Sequence, residues 1–322
     1  MVKVTSSAVS VILPVLNEEN YLEAAVNAVL MQNFSGLIEV VLAVGPSKDH
    51  TLEIANKLAA ADSRIKVVSN PTGRTAAGLN LAIQNSSYPI IVRVDGHAKI
   101  PKNYISIAVE LLEKTGAVNV GGVMAAEGEN SFERAVAGAM RSPLGVGAAK
   151  FHTGGNAGEA DTVYLGVFKR SAIDAIGGFD EHFTRAQDWE LNFRLRKNGG
   201  TIYFDPRLTV TYRPRKSLMA LAKQYFEYGR WRRVVARTHK GTINLRYLAP
   251  PFTLVGTATS LIGGFLNPIL FIPAGIYGTF LILASLKIGK TPIERFYLPA
   301  ILLTMHMSWG AGFITSTRRF VR

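Results

Sequence analysis

The sequence predicts an α/β fold with a doubly wound mixed sheet, followed by a basic amphipathic helix and hydrophobic membrane helices. Three observations lead to this prediction. Strand-like apolar runs alternate with helical patterns from residue 9 to about residue 122, which is typical of a wound sheet. Residues 213–246 are strongly basic, and residues 247–286 contain no Asp, Glu, Lys or Arg. We therefore expect three regions: a catalytic domain at 1–212, a juxtamembrane segment at 213–246 and a membrane-anchoring region at 247–322.

The elements follow in order from hydrophobic periodicity and from helix-capping and turn residues. Strands are expected at 9–16, 38–44, 65–69, 89–94, 117–123, 162–168 and 201–204, and helices at 20–32, 49–61, 75–84, 102–114, 187–198 and 217–239. Ser47 and Asp49 are good capping residues for the second helix. Residues 124–160 are rich in Gly and Ala with weak periodicity. They are compatible with a mobile loop over a substrate cleft, which the pattern alone does not settle.

Charge and composition narrow the classes of function. The chain has no cysteine, which excludes disulfides, a thiolate nucleophile and cysteine-bound zinc. Its net charge is +13. Residues 213–246 hold ten Lys or Arg against a single acid, Glu227. This cluster ends where the uncharged region begins, which favours a juxtamembrane segment beside anionic lipid headgroups on the cytoplasmic side. A nucleic-acid patch is the lesser alternative, and we expect no nucleic-acid partner.

The C-terminal region contains two long uncharged runs, at 247–286 and 296–317. A membrane-spanning helix needs about 20 apolar residues, and Asn267-Pro268 divides the first run into two pieces. Three crossings would place Arg318, Arg319 and Arg322 outside, against the positive-inside rule. We therefore expect two crossings, one interfacial or re-entrant segment, and a cytoplasmic C-terminus. The alternative is a buried helix hairpin of a soluble protein.

The triplet Asp95-Gly96-His97 closes the apolar run 88–94. Residues i and i+2 of an extended chain point to the same side, and ligands of open α/β sheets bind outside the carboxyl ends of the strands. A divalent cation that bridges phosphate oxygens needs only one or two protein ligands of this kind. An Asp-Gly turn with a solvated histidine is the other interpretation.

Further motifs extend along the chain. The first strand is followed by Pro14-Val-Leu-Asn17-Glu18 and not by the Gly-x-Gly-x-x-Gly of dinucleotide-binding folds, which argues against a dehydrogenase. The other motifs are Ser47-Lys-Asp49-His-Thr51, Asn70-Pro-Thr-Gly-Arg74 with Asn80, Gly177-Gly-Phe-Asp180, Gln187-Asp188-Trp-Glu190, Gln224-Tyr-Phe-Glu-Tyr-Gly-Arg230-Trp231 and Met305-His-Met-Ser-Trp-Gly-Ala-Gly-Phe313. In this order they resemble the family 2 inverting glycosyltransferases with the GT-A fold. The resemblance is strongest to the succinoglycan-type bacterial enzymes and runs from about residue 9 to residue 313.

The resemblance implies a role for each matching residue. Pro14, Asn17 and Glu18 would line the nucleoside pocket, Asp49 and Arg74 would lie near the base or diphosphate, and Asn80 would brace a loop. Asp95 takes the place of the metal-binding acid, His97 falls where a second acid usually lies, and Asp188 matches the catalytic base. A bound divalent cation, Mn²⁺ or Mg²⁺, would neutralise the leaving diphosphate. A carboxylate would accept the proton of the attacking hydroxyl.

Structural alternatives exist for several of these residues. Asp188 and Glu190 stand at a helix start, where acids are favoured by the helix dipole alone. Arg74 is equally consistent with an ordinary surface cation. For Glu190, the functional interpretation is a role on the acceptor side. Arg230-Trp231 resembles the Arg-Trp of processive polysaccharide synthases near the acceptor, although Gln224 lies six residues before the arginine and not three. An interfacial anchor is the alternative for that pair.

The sequence departs from the family pattern at two positions. Val44 stands at the end of the second strand, where many relatives carry an acid that contacts uracil, and His97 replaces an acid. The resemblance thus implies a membrane-attached enzyme that moves a hexose from a nucleotide sugar, with UDP favoured, to a polyprenyl-diphosphate-linked saccharide. The active domain would face the cytoplasm at the cell membrane, with membrane lipids as partners. The alternatives are a catalytically idle nucleotide-binding scaffold of the same fold and a polyprenyl-phosphate sugar synthase.

Overall fold

The computed structural model describes residues 8–318, which form two compact units. The first comprises residues 8–125 and 154–212, and the second comprises 126–153 and 213–318. One unit boundary falls between residues 212 and 213. Residues 126–153 belong to the second unit, and 213–246 form no unit of their own. Arg319 and Arg322, used in the topology prediction, lie outside the described residues.

The first unit is built on a mixed eight-stranded sheet. Its strands are β1 Val9–Val15, β2 Ile38–Val44, β3 Ile65–Ser69, β4 Ile90–Arg93, β5 Asn119–Ala126, β6 Gly158–Glu159, β7 Tyr164–Lys169 and β8 Ile202–Tyr212. They are ordered β3-β2-β1-β4-β7-β5-β8-β6. β1 pairs in parallel with β2 and β4, β2 pairs in parallel with β3, and β7 runs antiparallel to β4 and β5. The carboxyl ends of β1, β2, β3 and β4 therefore share one edge of the sheet.

Helices cover the sheet and form most of the second unit. They are α1 Leu22–Leu30, α2 Thr51–Ala61, α3 Thr75–Gln84, α4 Tyr104–Thr115, α5 Ser131–Met140, α6 Pro143–Val146, α7 Lys150–Thr153, α8 Arg170–Ala175, α9 Gln187–Lys197, α10 Leu218–Thr238, α11 Leu245–Gly264, α12 Ile272–Ile288 and α13 Pro292–Thr315. His50 is the N-cap residue of α2 and its side chain makes no cap hydrogen bond, whereas Asp49 accepts from the N–H of Thr51, the first residue of the helix (3.1 Å). The last predicted strand, 201–204, is longer and reaches Tyr212.

The sheet is buried on both faces, as strand alternation requires. Val11 and Leu13 belong to one hydrophobic core, whereas Ile12 between them belongs to the other. All three side chains are fully buried. Such continuous apolar strands leave polar groups at the strand ends, which is where the candidate site lies.

The structure decides the fold of residues 131–153, part of the segment 124–160 that the sequence pattern left open. This segment forms α5, α6 and α7, and α5 packs on α13. Leu298, Ile301, Leu302 and Met305 on α13 are completely buried at helical i, i+3, i+4 and i+7 spacing. The segment gave weak periodicity because glycine and alanine side chains are too small to mark one apolar face of a helix clearly. A Cβ at Gly145 would lie 2.2 Å from the Ala139 carbonyl oxygen.

Two glycines bring α10 and α13 into backbone contact. A Cβ at Gly229 would lie 2.0 Å from the Trp309 carbonyl oxygen, and one at Gly312 would lie 1.9 Å from the Phe226 carbonyl oxygen. Neither position has room for a larger side chain. α10 is the predicted basic helix, and Ser217 caps it by accepting a hydrogen bond from Ala220 N.

Two C-terminal helices are long and apolar enough to cross a membrane, by length and composition only. They are Pro268–Ile288, which joins a 3₁₀ turn at Pro268–Phe271 to α12, and Pro292–Thr315, which is α13. The first has a mean hydropathy of 2.1 and is 17% buried, whereas the second has 1.2 and is 39% buried. α11 contains Pro250 and Pro251 and does not meet the same criteria within the described residues.

Candidate active site

Hydrogen bonds join the loops that follow β1 and β2 at the carboxyl edge of the sheet. Asn17 donates its N–H to Ser47 Oγ (3.0 Å) and accepts from Lys48 N through Oδ1 (2.8 Å). Asn17 has a φ of 56°, in the left-handed region that asparagine tolerates better than most residues. Its backbone turn and its side chain together place Glu18 at the end of β1.

Thr51 and Asp49 continue this network. Thr51 is fully buried, and its hydroxyl accepts from Glu18 N (2.7 Å) while donating to Asp49 Oδ1 (2.6 Å). Asp49 also accepts from Glu19 N (3.2 Å) and Thr51 N (3.1 Å). Desolvation raises the pKa of Asp49, but the hydrogen bonds from Thr51 and Glu19 outweigh it, and the net pKa is lowered. The lowered pKa keeps Asp49 ionised, and its carboxylate joins the loop after β2 to the loop after β1.

The loop after β3 packs against the first two loops. A Cβ at Gly45 would lie 3.1 Å from Cα of Gly73, and Gly73 has a φ of +63°. Asn70 is 2% exposed and donates through Nδ2 to the Arg74 carbonyl oxygen (3.1 Å). Arg74 is the N-cap residue of α3, and its side chain is exposed at this edge. Pro14 pairs with Ala43 inside the sheet and forms part of the floor below these loops.

The triplet 95–97 does not continue the strand, so the extended-chain argument for Asp95 and His97 is wrong. β4 ends at Arg93, and Ala98 N donates to the Asp95 carbonyl oxygen (2.9 Å) to close a turn. His97 Nδ1 lies 2.8 Å from Glu18 Oε1. A Cβ at Gly96 would come within 2.9 Å of Val15 Cγ1 and 3.0 Å of Glu18 Cγ. Glycine therefore allows the turn to pack on the end of β1.

Asp188 is brought to the end of β4 by α9. Its helix begins after Ala186, which adopts a left-handed φ of 61°, and is anchored to the sheet by Asn192. Asn192 is 1% exposed, accepts from Asn119 Nδ2 (2.6 Å) and donates to Thr162 Oγ1 (2.8 Å). Because the anchor lies one turn below Asp188, the carboxylate is fixed by the helix and not by a loop.

Arg93 holds Asp188 and Asp95 together. Its guanidinium donates through Nη1 to Asp188 Oδ1, and Nη2 lies 3.0 Å from Asp95 Oδ1. The arginine is 4% exposed, whereas the side chains of Asp95 and Asp188 are 20% and 33% exposed. The two carboxylates are therefore partly exposed to solvent, while the Arg93 guanidinium that contacts both is buried.

The pKa values agree with a basic carboxylate at Asp188. Desolvation raises the pKa of Asp188 above its ordinary value, the Arg93 charge lowers it, and the charge of Asp95 raises it again. Desolvation lowers the pKa of Arg93, but the charges of Asp188 and Asp95 outweigh it and raise the pKa. The guanidinium thus stays charged while Asp188 becomes a stronger base than an ordinary aspartate.

Asn80 braces the loop before α9. It accepts from Phe179 N (2.8 Å) and donates to the Phe179 carbonyl oxygen (2.9 Å) and to Glu181 Oε1 (2.9 Å). Phe179 is 2% exposed and packs edge-on against Phe168 of β7. These bonds fix the Gly177-Gly-Phe-Asp180 turn on α3.

The three predicted acceptor-side residues have structural partners. Glu190 is 1% exposed, and both of its carboxylate oxygens accept from Arg194 at 2.7 Å. This burial and pairing favour a structural role for Glu190, and its acceptor-side role stays a prediction. In the second unit, Trp231 is 6% exposed, which favours packing over acceptor contact, and Arg230 donates to Glu227 (2.8 Å) and covers the Phe226 ring.

The donor set at Asp95 fits a divalent cation that is bound mainly through its substrate. Among the described residues, no group of three His, Asp or Glu side chains is arranged to hold a metal ion. Mg²⁺ and similar ions commonly use one or two carboxylates and complete their shell with phosphate and water. Within the same residues, Asp95 Oδ1 faces Arg93, while Oδ2 has no hydrogen bond. That oxygen is the ligand the site offers.

Sequence reasoning missed Arg93, Ser47 and Thr51 as individual contributors. Arg93 gave a signal, since a cation inside an apolar strand is rare without a buried partner. Thr51 was recognised only as part of a motif, and Ser47 only as a motif and capping residue. Their hydrogen bonds span about 30 residues of sequence, and no local pattern reveals such pairings.

At the carboxyl ends of the parallel strands, Asp95 and Asp188 contact a buried arginine beside loops that Asn17 and Asp49 shape. Residues 10–177 match the Glycosyl transferase family 2. The chain is 31% identical to the succinoglycan biosynthesis protein ExoA of Rhizobium meliloti over 320 residues, or 97% of this chain and 95% of the relative. The protein therefore belongs to glycosyltransferase family 2 and is a transferase, as predicted.

Other similarities extend over nearly the whole chain. A Methanococcus voltae dolichyl N-acetyl-α-D-glucosaminyl phosphate 3-β-D-2,3-diacetamido-2,3-dideoxy-β-D-glucuronosyltransferase is 25% identical over 95% of each chain. The solved mannosyltransferase PcManGT of Pyrobaculum calidifontis, in complex with GDP-Man and Mn²⁺, superposes with a TM-score of 0.62 at 17% identity. The superposition covers 96% of this chain and 86% of the mannosyltransferase chain. This likeness confirms the predicted GT-A fold.

Proposed function

We propose that the protein is an inverting, membrane-attached hexosyltransferase that uses a nucleoside-diphosphate sugar and a lipid-linked saccharide acceptor. The names of two relatives support this assignment: one is a succinoglycan biosynthesis protein and the other a transferase to a dolichyl-phosphate-linked sugar. Both match the chain over at least 95% of its length. The product would enter a cell-surface polysaccharide or glycolipid.

The observation that carries the proposal is the bridge Asp95–Arg93–Asp188. Asp188 is the proposed general base, since its carboxylate is partly exposed and its pKa is raised. It would accept the proton of the acceptor hydroxyl as that oxygen attacks the anomeric carbon of the donor. Displacement on the face opposite the leaving nucleoside diphosphate would invert that carbon. Arg93 would hold the carboxylate in place by its hydrogen bond.

The opposite side of the bridge would receive the donor diphosphate. Oδ2 of Asp95 would ligate Mn²⁺ or Mg²⁺, with His97 beside it and diphosphate oxygens completing the shell. The cation, when bound, would supply charge neutralisation of the leaving group. Arg74 is exposed at the start of α3 and would add positive charge to the diphosphate.

The remaining edge would hold the nucleoside. Pro14, Asn17 and Glu18 come directly from β1, and Asp49 ties their loop to the loop of β2. A uridine donor is favoured by the resemblance, although Val44 offers the base no hydrogen bond from its side chain. Asn80 would not contact the nucleoside itself. It would fix the turn that leads to Asp188.

Attachment to the cell membrane would come from the second unit, with the active unit on the cytoplasmic side where activated sugars are made. The support is the basic segment 213–246 together with the exposed apolar side chains of α11 and α12. Anionic lipid attracts such segments. Membrane lipids and the lipid-linked acceptor would then be partners of the same unit.

Donor hydrolysis without acceptor tests the proposal directly. Purified full-length protein in detergent is incubated with UDP- and GDP-sugars and Mn²⁺, and nucleoside diphosphate release is measured, with heat-treated protein as the control. Release above that control supports a transferase. No release with any donor, combined with tight nucleotide binding, would support the idle scaffold instead. Adding polyprenyl phosphate as acceptor distinguishes a synthase, because it would then form polyprenyl-phosphate sugar.

A further inference from the structure

The α11–α12 hairpin carries its most exposed apolar side chains at its tip. Phe265 is 86% exposed and Leu266 is 88% exposed, and the 3₁₀ turn that follows is equally apolar. A loop that emerged into water beyond a bilayer would need polar residues. Asn267 is the one polar residue of the tip 265–271, and residues 247–286 contain none that are charged.

The hairpin packs on the rest of the second unit near its base and, on α12, also through Tyr277, whose hydroxyl oxygen lies 3.0 Å from His306 Nδ1 of α13. Pro251 on α11 and Leu281 on α12 are buried, whereas most side chains between them are exposed or half-buried. At about 1.5 Å per residue, the stretch from Pro251 to Gly264 rises roughly 20 Å. The hydrocarbon core of a bilayer is about 30 Å thick. A hairpin of this height enters the core without reaching its far side.

Three hydroxyl groups of the hairpin, those of Thr259, Ser260 and Thr279, form hydrogen bonds within the hairpin. Ser260 donates through Oγ to the Leu270 carbonyl oxygen (2.5 Å) and accepts from Ala274 N (3.0 Å). It thereby pairs one backbone group of the 3₁₀ turn and one of the first turn of α12. Thr259 and Thr279 donate to carbonyls of their own helices. Lipid requires such internal pairing, because no water is present to accept or donate.

α13 is the core helix of the second unit and is poorly suited to cross a bilayer. Its N-terminal half is paired with α5, where Arg134 Nε lies 3.2 Å from Glu294 Oε1. Its C-terminal half lies along α10, where Arg237 donates to the Ser316 carbonyl oxygen (2.9 Å). A crossing by α13 would draw these charged helices into hydrocarbon, which is costly.

We infer that the second unit is monotopic: the α11–α12 hairpin inserts tip-first from one side and ends within the hydrocarbon core, and no helix crosses completely. This inference rests on the proposed membrane attachment and replaces the two predicted crossings. Charge complementarity selects lipid as the occupant, since the basic residues of 213–246 precede the hairpin directly. The C-terminus then lies on the same side as the active unit, without conflict with the positive-inside rule.

Single cysteines test this topology cleanly, because the chain has none of its own. Leu266→Cys is introduced in the full-length protein, and Lys240→Cys serves as the control at an exposed polar position. Each is reconstituted into phosphatidylglycerol/phosphatidylethanolamine vesicles. An environment-sensitive fluorophore on residue 266 should be quenched by lipids brominated deep in the acyl chains, and that on residue 240 should not.

An impermeant maleimide gives the complementary readout. Residue 266 should resist labelling from both sides of the vesicle, whereas residue 240 reacts from one side. Labelling of residue 266 from the side opposite residue 240 would show a full crossing. Labelling from the same side would show that the tip stays in water or contacts protein. Either result overturns the monotopic arrangement while leaving attachment intact.

Flotation with the same vesicles separates the failure of attachment from the failure of topology. Leu266→Asp should reduce vesicle partitioning by roughly a hundredfold, since a charge deep in the hydrocarbon is strongly disfavoured. Met31→Glu, at a 66% exposed apolar residue of the first unit, is the matched control and should float like the parent. A parent protein that does not float refutes attachment itself.

Discussion

Arg93 donates a hydrogen bond through Nη1 to Oδ1 of Asp188, across 95 residues of sequence. The same guanidinium contacts Asp95, so one buried cation fixes the proposed base and the proposed metal ligand at once. A carboxylate beside an arginine is usually a weak base. Here desolvation outweighs the arginine, and the pKa of Asp188 is raised. Arg93 therefore sets the position of Asp188 and moderates its basicity.

Asp188→Asn should lower kcat by a factor of about 10² to 10⁴, because the amide keeps the shape but cannot accept a proton. Nucleotide binding should be nearly unchanged. Steady-state transfer and calorimetric titration with the nucleoside diphosphate provide the two readouts. Asp62→Asn, at an Asp–Arg pair on the surface, is the control. A kcat within threefold of the parent would remove Asp188 from the role of base.

Arg93→Met should move the acid limb of the kcat/KM profile to higher pH. Asp188 works as a base only when it is deprotonated, so activity falls as pH decreases through its pKa. Removing the guanidinium removes an influence that lowers this pKa, and protonation then begins at higher pH. Arg64→Met removes the arginine of the Asp62 pair and should leave the profile in place. An unshifted limb in Arg93→Met would refute the coupling.

Metal dependence should act through Asp95. Chelation should abolish transfer, and Asp95→Asn should raise the Mn²⁺ concentration required for half-maximal activity. An imidazole near the ion favours Mn²⁺ over Mg²⁺, so His97→Asp should shift the preference toward Mg²⁺. Activity is measured across a titration of each ion after treatment with chelator. Full activity in chelator would contradict the requirement for a cation.

Asp49→Asn should weaken nucleoside diphosphate binding by up to roughly tenfold. The carboxylate accepts from three donors through two oxygens, and an amide has only one oxygen to offer. At least one backbone N–H of the two joined loops is then left without its partner. Glu53→Gln, on an 80% exposed side chain of α2, is the control for calorimetry. Equal affinities of the two variants would show that the loops hold without Asp49.

Gly312→Ala should destabilise the second unit by about 1–3 kcal/mol through overpacking. The added methyl group would collide with the Phe226 carbonyl oxygen. Gly256→Ala, with open space around its position, should be neutral. Thermal unfolding in detergent is compared for both variants. Identical transitions would mean that α10 and α13 can separate at no cost.

Much of the first unit could be predicted because its elements are encoded locally. The strands β2 and β3 and the helix α3 begin and end where the apolar pattern predicts. Asp188 was reached by resemblance and Asp95 first by its place after a strand-like run, and the roles of both remain predictions. Arg93 was missed because its importance depends on two distant carboxylates, and α5 because its glycines and alanines carry little periodicity. Burial of Glu190 and Trp231 likewise depends on packing that single-sequence patterns do not contain.

The second unit is made of two separate stretches of chain, 126–153 and 213–318. During synthesis, α5 leaves the ribosome long before its partner α13. The apolar face of α5 therefore stays uncovered until α13 has been synthesised. The unit is therefore finished only near the end of translation. A fragment that ends at residue 212 would keep α5 without α13 and expose Val136, Ala139 and Met140, which are buried in the whole protein. Cutting the chain after the sheet would thus yield an aggregating piece, and a deletion that also replaces 126–153 with a short linker is the rational route to an isolated first unit.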